Sequence, residues 1–197
     1  MPPVSEHEED MADQVKVLVI CGSLRKGSYN AALTRALPEL APPGMTLVSA
    51  PPHDAMPMYN SDVQEASGFP PAAEALAAAI RAADGVIVVS PEYNWTIPGA
   101  LKNAIDWVSR MKDQPFKEKP VALQSCSMGP LGGSRMQYHM RMMFTYLNAF
   151  IFGTPEVIVS VAQNKFDKDL KLTDETTRKF VQQQLAGFAT FIARVKA

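Results

Sequence analysis

Apolar residues along this chain fall into two alternating spacings, and the alternation predicts the architecture. Val15 to Cys21 (VKVLVIC) is a short, branched apolar run with the length of a buried strand. From Ala31 the spacing becomes helical through Leu40, with Pro38 expected to end the helix near Glu39. The turn signal Pro42-Pro43-Gly44 leads into a second apolar run, Met45 to Ser49. Ala72 to Ala83 places Leu76, Ile80 and Ala83 on one helical face. Gly85 to Ser90 (GVIVVS) is apolar and β-branched nearly throughout, as a central parallel strand covered on both sides should be. Thr96 and Pro98 read as the cap and first turn of a helix reaching about Met111, with Ile97, Leu101, Ile105 and Val108 inward. Pro120 opens a fourth strand, Val121 to Cys126, and a helix with Met136, Met140, Met143 and Leu147 on one face comes after it. Glu156 to Val161 is a fifth strand, and Thr173 to Val195 a closing helix with Val181, Leu185, Phe188, Ile192 and Val195 inward.

Strand and helix alternating five times predict an α/β protein with a parallel sheet and helices on both faces. Two segments stand outside the alternation. Met1 to Asp13, with acidic Glu6, Glu8, Glu9 and Asp10, reads as a flexible tail ahead of a single domain over 14–197. Residues 50–71 carry five prolines in a non-periodic stretch. Two readings are balanced there: a lid whose Met56, Pro57, Met58 and Tyr59 close over a flat apolar ligand, or a loop packed on the core by those same side chains.

Composition narrows the partners. With 47% hydrophobic and 20% charged residues and a net charge of −1, nothing argues for nucleic acid or an anionic membrane surface. No stretch approaches the roughly 18 apolar residues of a membrane-spanning helix, and the acidic start does not resemble a secretory signal, so the cytoplasm is expected. The two cysteines and three histidines show no metal-ligand spacing, and no metal site is expected. Cys21 and Cys126 read as apolar strand-end residues, since nothing near Cys126 in sequence would lower its pKa enough for a redox nucleophile.

Parallel sheets of this kind bind ligands at the carboxyl ends of their strands, where strand order reverses. The loop after strand one, Gly22-Ser23-Leu24-Arg25-Lys26-Gly27-Ser28-Tyr29-Asn30, sits at a strand-to-helix junction with hydroxyl, amide and cationic side chains and no acid. Such a junction is a phosphate cradle. It is not a P-loop, because Ser28 stands where the lysine of G-x-x-x-x-G-K-[ST] belongs. Nor is it a dinucleotide fingerprint, because Leu24 occupies the position of the second glycine. A terminal monophosphate fits what remains, and FMN sits at this switch point in sheets of order 2-1-3-4-5.

The three motifs GSLRKGSYN, PEYNWTIPGALKNAIDW (Pro91 to Trp107) and SMGPLGGSRMQ (Ser127 to Gln137) together resemble the NADPH-dependent FMN reductase family, over almost all of residues 15 to 195. The resemblance implies a flavodoxin-like three-layer sandwich with a five-stranded parallel sheet of order 2-1-3-4-5. It implies bound FMN, NADPH or NADH as co-substrate, and a homodimer or homotetramer. Ser23, Arg25, Ser28 and Asn30 would then bind the FMN phosphate. Pro91, Glu92, Tyr93 and Asn94 would line the ring and ribityl chain, and Ser127 and Gly129 would flank the other edge of the isoalloxazine. Hydride would pass from the nicotinamide to flavin N5 and on to a quinone, a chromate-type metal oxyanion, an azo compound or free flavin. No acid-base residue is expected to be indispensable, because the flavin carries the chemistry.

Several of these residues have a plainer reading. Asn30 also suits a helix cap, Glu92 a carboxylate with a backbone partner, Tyr93 a core position and Asp106 a solvated charge. Trp95 departs from the pattern as an aromatic at a variable position, which bears on acceptor choice. Beside the methionine stripe, Arg135 and Tyr138, with Glu156, are expected in a polar network between subunits. The competing functions are a flavodoxin-like electron carrier without room for a nicotinamide, and a nucleotide-binding switch or kinase.

Overall fold

The computed structural model describes residues 14–196, so the acidic tail lies outside the described residues. Among the described residues six strands and six α-helices follow in the order β1 Val15–Cys21, α1 Tyr29–Leu40, β2 Met45–Ser49, α2 Ser61–Ser67, α3 Pro71–Arg81, β3 Gly85–Val89, α4 Gly99–Ser109, β4 Pro120–Cys126, α5 Ser134–Tyr146, β5 Phe150–Ile151, β6 Val157–Val159 and α6 Glu175–Lys196. All pairings are parallel, in the order β2-β1-β3-β4-β5 with β6 also on β4.

Alternation along the strands divides the core in two. Leu18, Ile20, Val86, Val88, Val121 and Leu123 face α3, α4 and α5, packing on Leu76, Ile80, Leu101, Trp107, Met136 and Phe144. Val17, Val19, Ile87, Val89 and Ala122 face α1 and α6, packing on Leu33, Leu37, Val181, Leu185, Phe188 and Ile192. Every residue of β3 and of β4 is buried; β3 reads as continuously apolar for that reason, while β4 carries the buried polar residues Gln124 and Ser125. β1, with β2 on one side and β3 on the other, sets the reversal of strand order.

The fifth strand position differs from expectation. Two short strands share it, β5 opposite Pro120 and Val121 and β6 opposite Gln124 to Cys126, in place of one strand over Glu156 to Val161. Pro155, lacking an N–H, cannot continue the ladder between them. Buried amides take up the freed carbonyls: Gln184 Nε2 donates to Pro155 O at 2.8 Å, and Gln137 Nε2 to Val157 O at 2.9 Å.

Residues 50–71 are not one loop. They contain α2, capped by Asn60, whose side chain accepts the Asp62 N–H, and closed by Gly68 at φ 76°. α2 buries no residue, so it leaves no apolar periodicity to read. The stretch before it is pinned to α4: Asn103 Oδ1 accepts from Tyr59 N at 2.8 Å, and Pro57 O accepts from Asn103 Nδ2 at 2.9 Å and Trp107 Nε1 at 2.7 Å. The Tyr59 ring meets Trp107 edge-on at 5.0 Å. Of the two readings, this geometry is that of the packed loop, although Met58 at its crest is exposed.

Candidate functional site

Three loops leave the carboxyl ends of the adjacent strands β1, β3 and β4. The first is the cradle. Gly22 N donates to Val89 O at 2.8 Å, and a Cβ on Gly22 would stand 2.5 Å from Ser90 Oγ and 2.7 Å from Leu101 Cδ2. Only glycine lets the loop start so close to β3. Ser28 caps α1, its buried Oγ accepting from Asn30 N at 3.1 Å and Ala31 N at 3.4 Å. Its hydroxyl proton has no acceptor among the described residues. The first turn of α1 carries no acid. Among the described residues, the N–H groups of Ser23 to Gly27 have no backbone acceptor. Ser23 is half-buried, and exposed Arg25 and Lys26 enter none of the described ion pairs. Free N–H donors, a helix N-terminus and unpaired cations at one spot favour a dianion.

Asn30 is placed differently from expectation. Its side chain is occupied by the backbone of Cys126, donating to Cys126 O at 2.8 Å and accepting from Cys126 N at 2.9 Å. It clamps α1 to the end of β4, and the capping side chain is that of Ser28.

The second loop is a tight hairpin. Tyr93 and Thr96 exchange backbone hydrogen bonds of 3.0 and 2.9 Å around Asn94 and Trp95, both at positive φ. Thr96 therefore does not cap the next helix, which begins at Gly99 after Pro98 without a side-chain cap. Its hydroxyl meets His139 Nδ1 at 3.0 Å. Glu92 points to α5, accepting from Met136 N at 3.2 Å and lying 3.5 Å from Arg135 Nη1. The carboxylate satisfies a first-turn N–H and complements the helix dipole, the plainer of its two readings. Pro91 is half-buried, while Tyr93 and Asn94 are exposed.

The third loop wraps around β6. Ser127 N donates to Val159 O at 2.9 Å, and Ser127 Oγ accepts from Gly129 N at 3.1 Å. Gly132 and Gly133, at φ 58° and 91°, are fixed by the protein itself, because a Cβ would reach 2.6 Å from Ile158 Cγ2 or 2.9 Å from Ser125 Cβ. Gly129 is different: a Cβ there would meet only Ser127 Oγ, at 3.6 Å.

All three loops carry large apolar side chains held in the open, with Leu24, Tyr93, Trp95, Met128 and Leu131 each 45–66% exposed. Cys126 is no nucleophile, since burial pushes its thiol up to about 12. Asp106 pairs with Lys102 on the surface of α4, at 2.6 Å. Sequence reasoning missed the Arg135 guanidinium over the Trp95 ring, the Thr96–His139 contact and the clamp of Asn103 and Trp107 on Pro57 and Tyr59; each joins residues more than thirty positions apart in the chain.

The family model for NADPH-dependent FMN reductase matches residues 15–164. The chain belongs to the NADPH-dependent FMN reductase family. It is 46% identical over 187 residues to a quinone reductase of Escherichia coli, covering 94% of this chain and 100% of the relative. It is 45% identical to an NAD(P)H-dependent FMN reductase of Pseudomonas aeruginosa, over 94% of this chain and 100% of that one. Among solved structures, the flavoenzyme NAD(P)H:(acceptor) oxidoreductase FerB of Paracoccus denitrificans superposes with a TM-score of 0.82 at 31% identity, covering 91% of this chain and 98% of that one. As a member of the NADPH-dependent FMN reductase family the protein is an oxidoreductase that uses FMN, with NAD(P)H as co-substrate.

The residues present fit that cofactor. The cradle offers the donor set of a monophosphate, and Gly129 is a glycine that the protein's own packing does not require. Among the described residues no cluster of His, Cys, Asp and Glu is placed to hold a metal, and no helix is long and apolar enough to cross a membrane.

Proposed function

We propose that the protein is a quinone reductase, with Ser23, Arg25, Ser28 and the free N–H groups of the first loop holding the FMN phosphate. Pro91 to Asn94 line one side of the ring and Ser127 and Gly129 the other. The observation that carries this reading is the meeting, at one edge of the sheet, of an acid-free donor cradle with two loops of exposed apolar side chains. The names of the relatives supply the acceptor class.

When bound, FMN would supply two-electron redox chemistry between the reduced nicotinamide and the acceptor. The chain's part is placement. Ser28 and Arg25 anchor the phosphate by charge-assisted hydrogen bonds. Asn30 and Glu92 act one step back, fixing the first and second loops to β4 and α5. The Gly129 N–H is taken by Ser127 Oγ, so other backbone N–H groups of the third loop would stabilise negative charge on the reduced ring system, and the apolar rims at Leu24, Tyr93 and Met128 would exclude water. No side chain is required as a proton donor of tuned pKa.

A second copy of this chain is proposed to cover α5, where Tyr138, Met142 and Tyr146 are exposed together with Phe150. Tyr138 and Arg141 already reach Glu156 within the chain, at 3.5 and 3.1 Å. Light scattering of a micromolar solution should give a dimer or tetramer; a species of 21.5 kDa would refute it.

The direct test of function is a visible spectrum followed by anaerobic titration. Purified protein should show flavin bands that NADPH bleaches stoichiometrically and a quinone restores. Chromate, an azo dye and free FMN serve as competing acceptors in the same cell. Bands that NADPH leaves untouched would identify an electron carrier instead, and a colourless protein that takes up no FMN would defeat both readings.

A further inference from the structure

Trp95 stands where a bulky residue is least expected. It is the second central residue of the Tyr93–Thr96 turn, at φ 68°, after Asn94 at φ 48°. A two-residue turn of that hand favours Asn-Gly, because a side chain at the second position is strained. Burial does not offset the strain, since the indole is 66% exposed.

What holds it is α5. The Arg135 guanidinium lies over one face of the indole, 4.0 Å from the ring centroid. Glu92, itself fixed by the Met136 N–H, lies 3.5 Å from the same guanidinium, and His139 holds the next residue, Thr96, at 3.0 Å. Contacts from a different element thus present an exposed ring in a fixed orientation, directly after the loop proposed to line the flavin.

We propose that Trp95 is the acceptor-binding platform of the enzyme: a quinone ring stacks on the indole at the open side of the flavin site, with Arg135 locking the indole. The inference rests on the quinone reductase reading above. An electron-rich indole and an electron-poor quinone attract in offset stacking. Arg135 also places positive charge beside an acceptor whose oxygens become negative as electrons arrive. The quinone gains two electrons and two protons and leaves as hydroquinone; NAD(P)H supplies the electrons and one proton, becoming NAD(P)+, and water supplies the other proton. Trp95 binds the acceptor and transfers nothing.

Trp95→Gly is the informative variant, because it creates the favoured Asn-Gly pair and so keeps the hairpin while deleting the ring. Oxidised holoenzyme without NAD(P)H does not reduce menadione, so binding is read by equilibrium dialysis. W95G should bind menadione roughly tenfold more weakly and raise its KM by about the same factor, while the KM for ferricyanide, which has no ring to stack, stays within about twofold. Menadione binding unchanged in W95G overturns the platform, as does a ferricyanide KM that rises in step. Trp95→Phe against Trp95→Leu tests it independently of the hairpin: phenylalanine should bind menadione more tightly than leucine, and equal binding overturns it. Failure of the underlying reading shows separately, as wild-type flavin that NADPH does not bleach.

Discussion

The Asn30 side chain and the Cys126 backbone pair reciprocally, with Nδ2 to O at 2.8 Å and N to Oδ1 at 2.9 Å, wholly inside the protein. One residue opens α1 and the other ends β4, so this pair sets the spacing between the phosphate cradle and the third loop. Asn30→Ala would orphan a buried N–H and a buried C=O, each costing about 1–3 kcal/mol. Urea unfolding should therefore show a loss of about 2–5 kcal/mol. Asn30→Asp keeps the acceptor for Cys126 N, yet adds negative charge beside the phosphate, and should retain FMN less well than the alanine variant on gel filtration. An alanine variant within about 0.5 kcal/mol of the parent would show that the clamp is dispensable.

Arg25 is exposed and enters none of the ion pairs among the described residues, so its removal costs the fold little. Its loss should be felt by the phosphate alone. A hydrogen bond to a charged group contributes about 1.5–3 kcal/mol, so Arg25→Ala should weaken FMN binding about 10- to 150-fold with unfolding of the apoprotein unchanged. Fluorescence titration of apoprotein with FMN measures it. Wild-type affinity in this variant would remove Arg25 from the site.

Asp174 caps α6, accepting from Thr177 N at 2.9 Å, Thr177 Oγ1 at 2.6 Å and Lys165 Nζ at 3.0 Å. The Thr177 hydroxyl, then Lys165, hold its carboxyl down at about 2. The folded value lies below the unfolded one of about 3.9, so the stabilisation is fully present above that pH and is lost as pH falls toward 2. Asp174→Ala should cost about 1 kcal/mol at pH 7, the magnitude of a lost cap at an exposed site, and almost nothing at pH 2. Thermal unfolding at the two pH values checks this; an equal loss at both would mean that packing, and not the charge, is what the variant removes.

Where burial covers an element on both faces, the sequence alone locates it well. β3 is buried throughout and reads as a continuous apolar run, and the α6 stripe of Val181, Leu185, Phe188 and Ile192 is the one seen in the core. α2 escaped because it buries nothing, and the divided fifth strand because the break at Pro155 is filled by Gln137 and Gln184 from two different helices. The three loops of the candidate site were legible, since glycines and polar residues mark strand ends. What was not legible is which polar side chains face a ligand and which face the protein. Asn30 and Glu92 have the composition of ligand contacts, yet their partners are backbone groups 96 and 44 residues away. Nothing local distinguishes these from exposed donors such as Arg25. Thr96 looked like a cap for the same reason, and its partner is on α5.

The glycines of the third loop separate folding from binding within four residues. Gly132 is required by the protein, because at φ 58° a Cβ would meet Ile158 Cγ2 at 2.6 Å and the Ser160 backbone nitrogen at 3.0 Å. Backbone cannot yield as a side chain does, so Gly132→Ala should cost about 1–3 kcal/mol or more from overpacking and strain. At Gly129 a Cβ would find only Ser127 Oγ at ordinary contact distance, and φ is not positive. Gly129→Ala should accordingly leave apoprotein unfolding within about 0.5 kcal/mol of the parent. If the loop backbone lies against the isoalloxazine, the same methyl must displace the ring, and FMN affinity should fall by about tenfold or more, as expected for overpacking of 1–3 kcal/mol. Denaturant titration of the apoproteins and fluorescence titration with FMN make the comparison complete. An alanine at 129 that binds FMN as tightly as glycine would move the flavin ring away from this loop, whatever it did to stability.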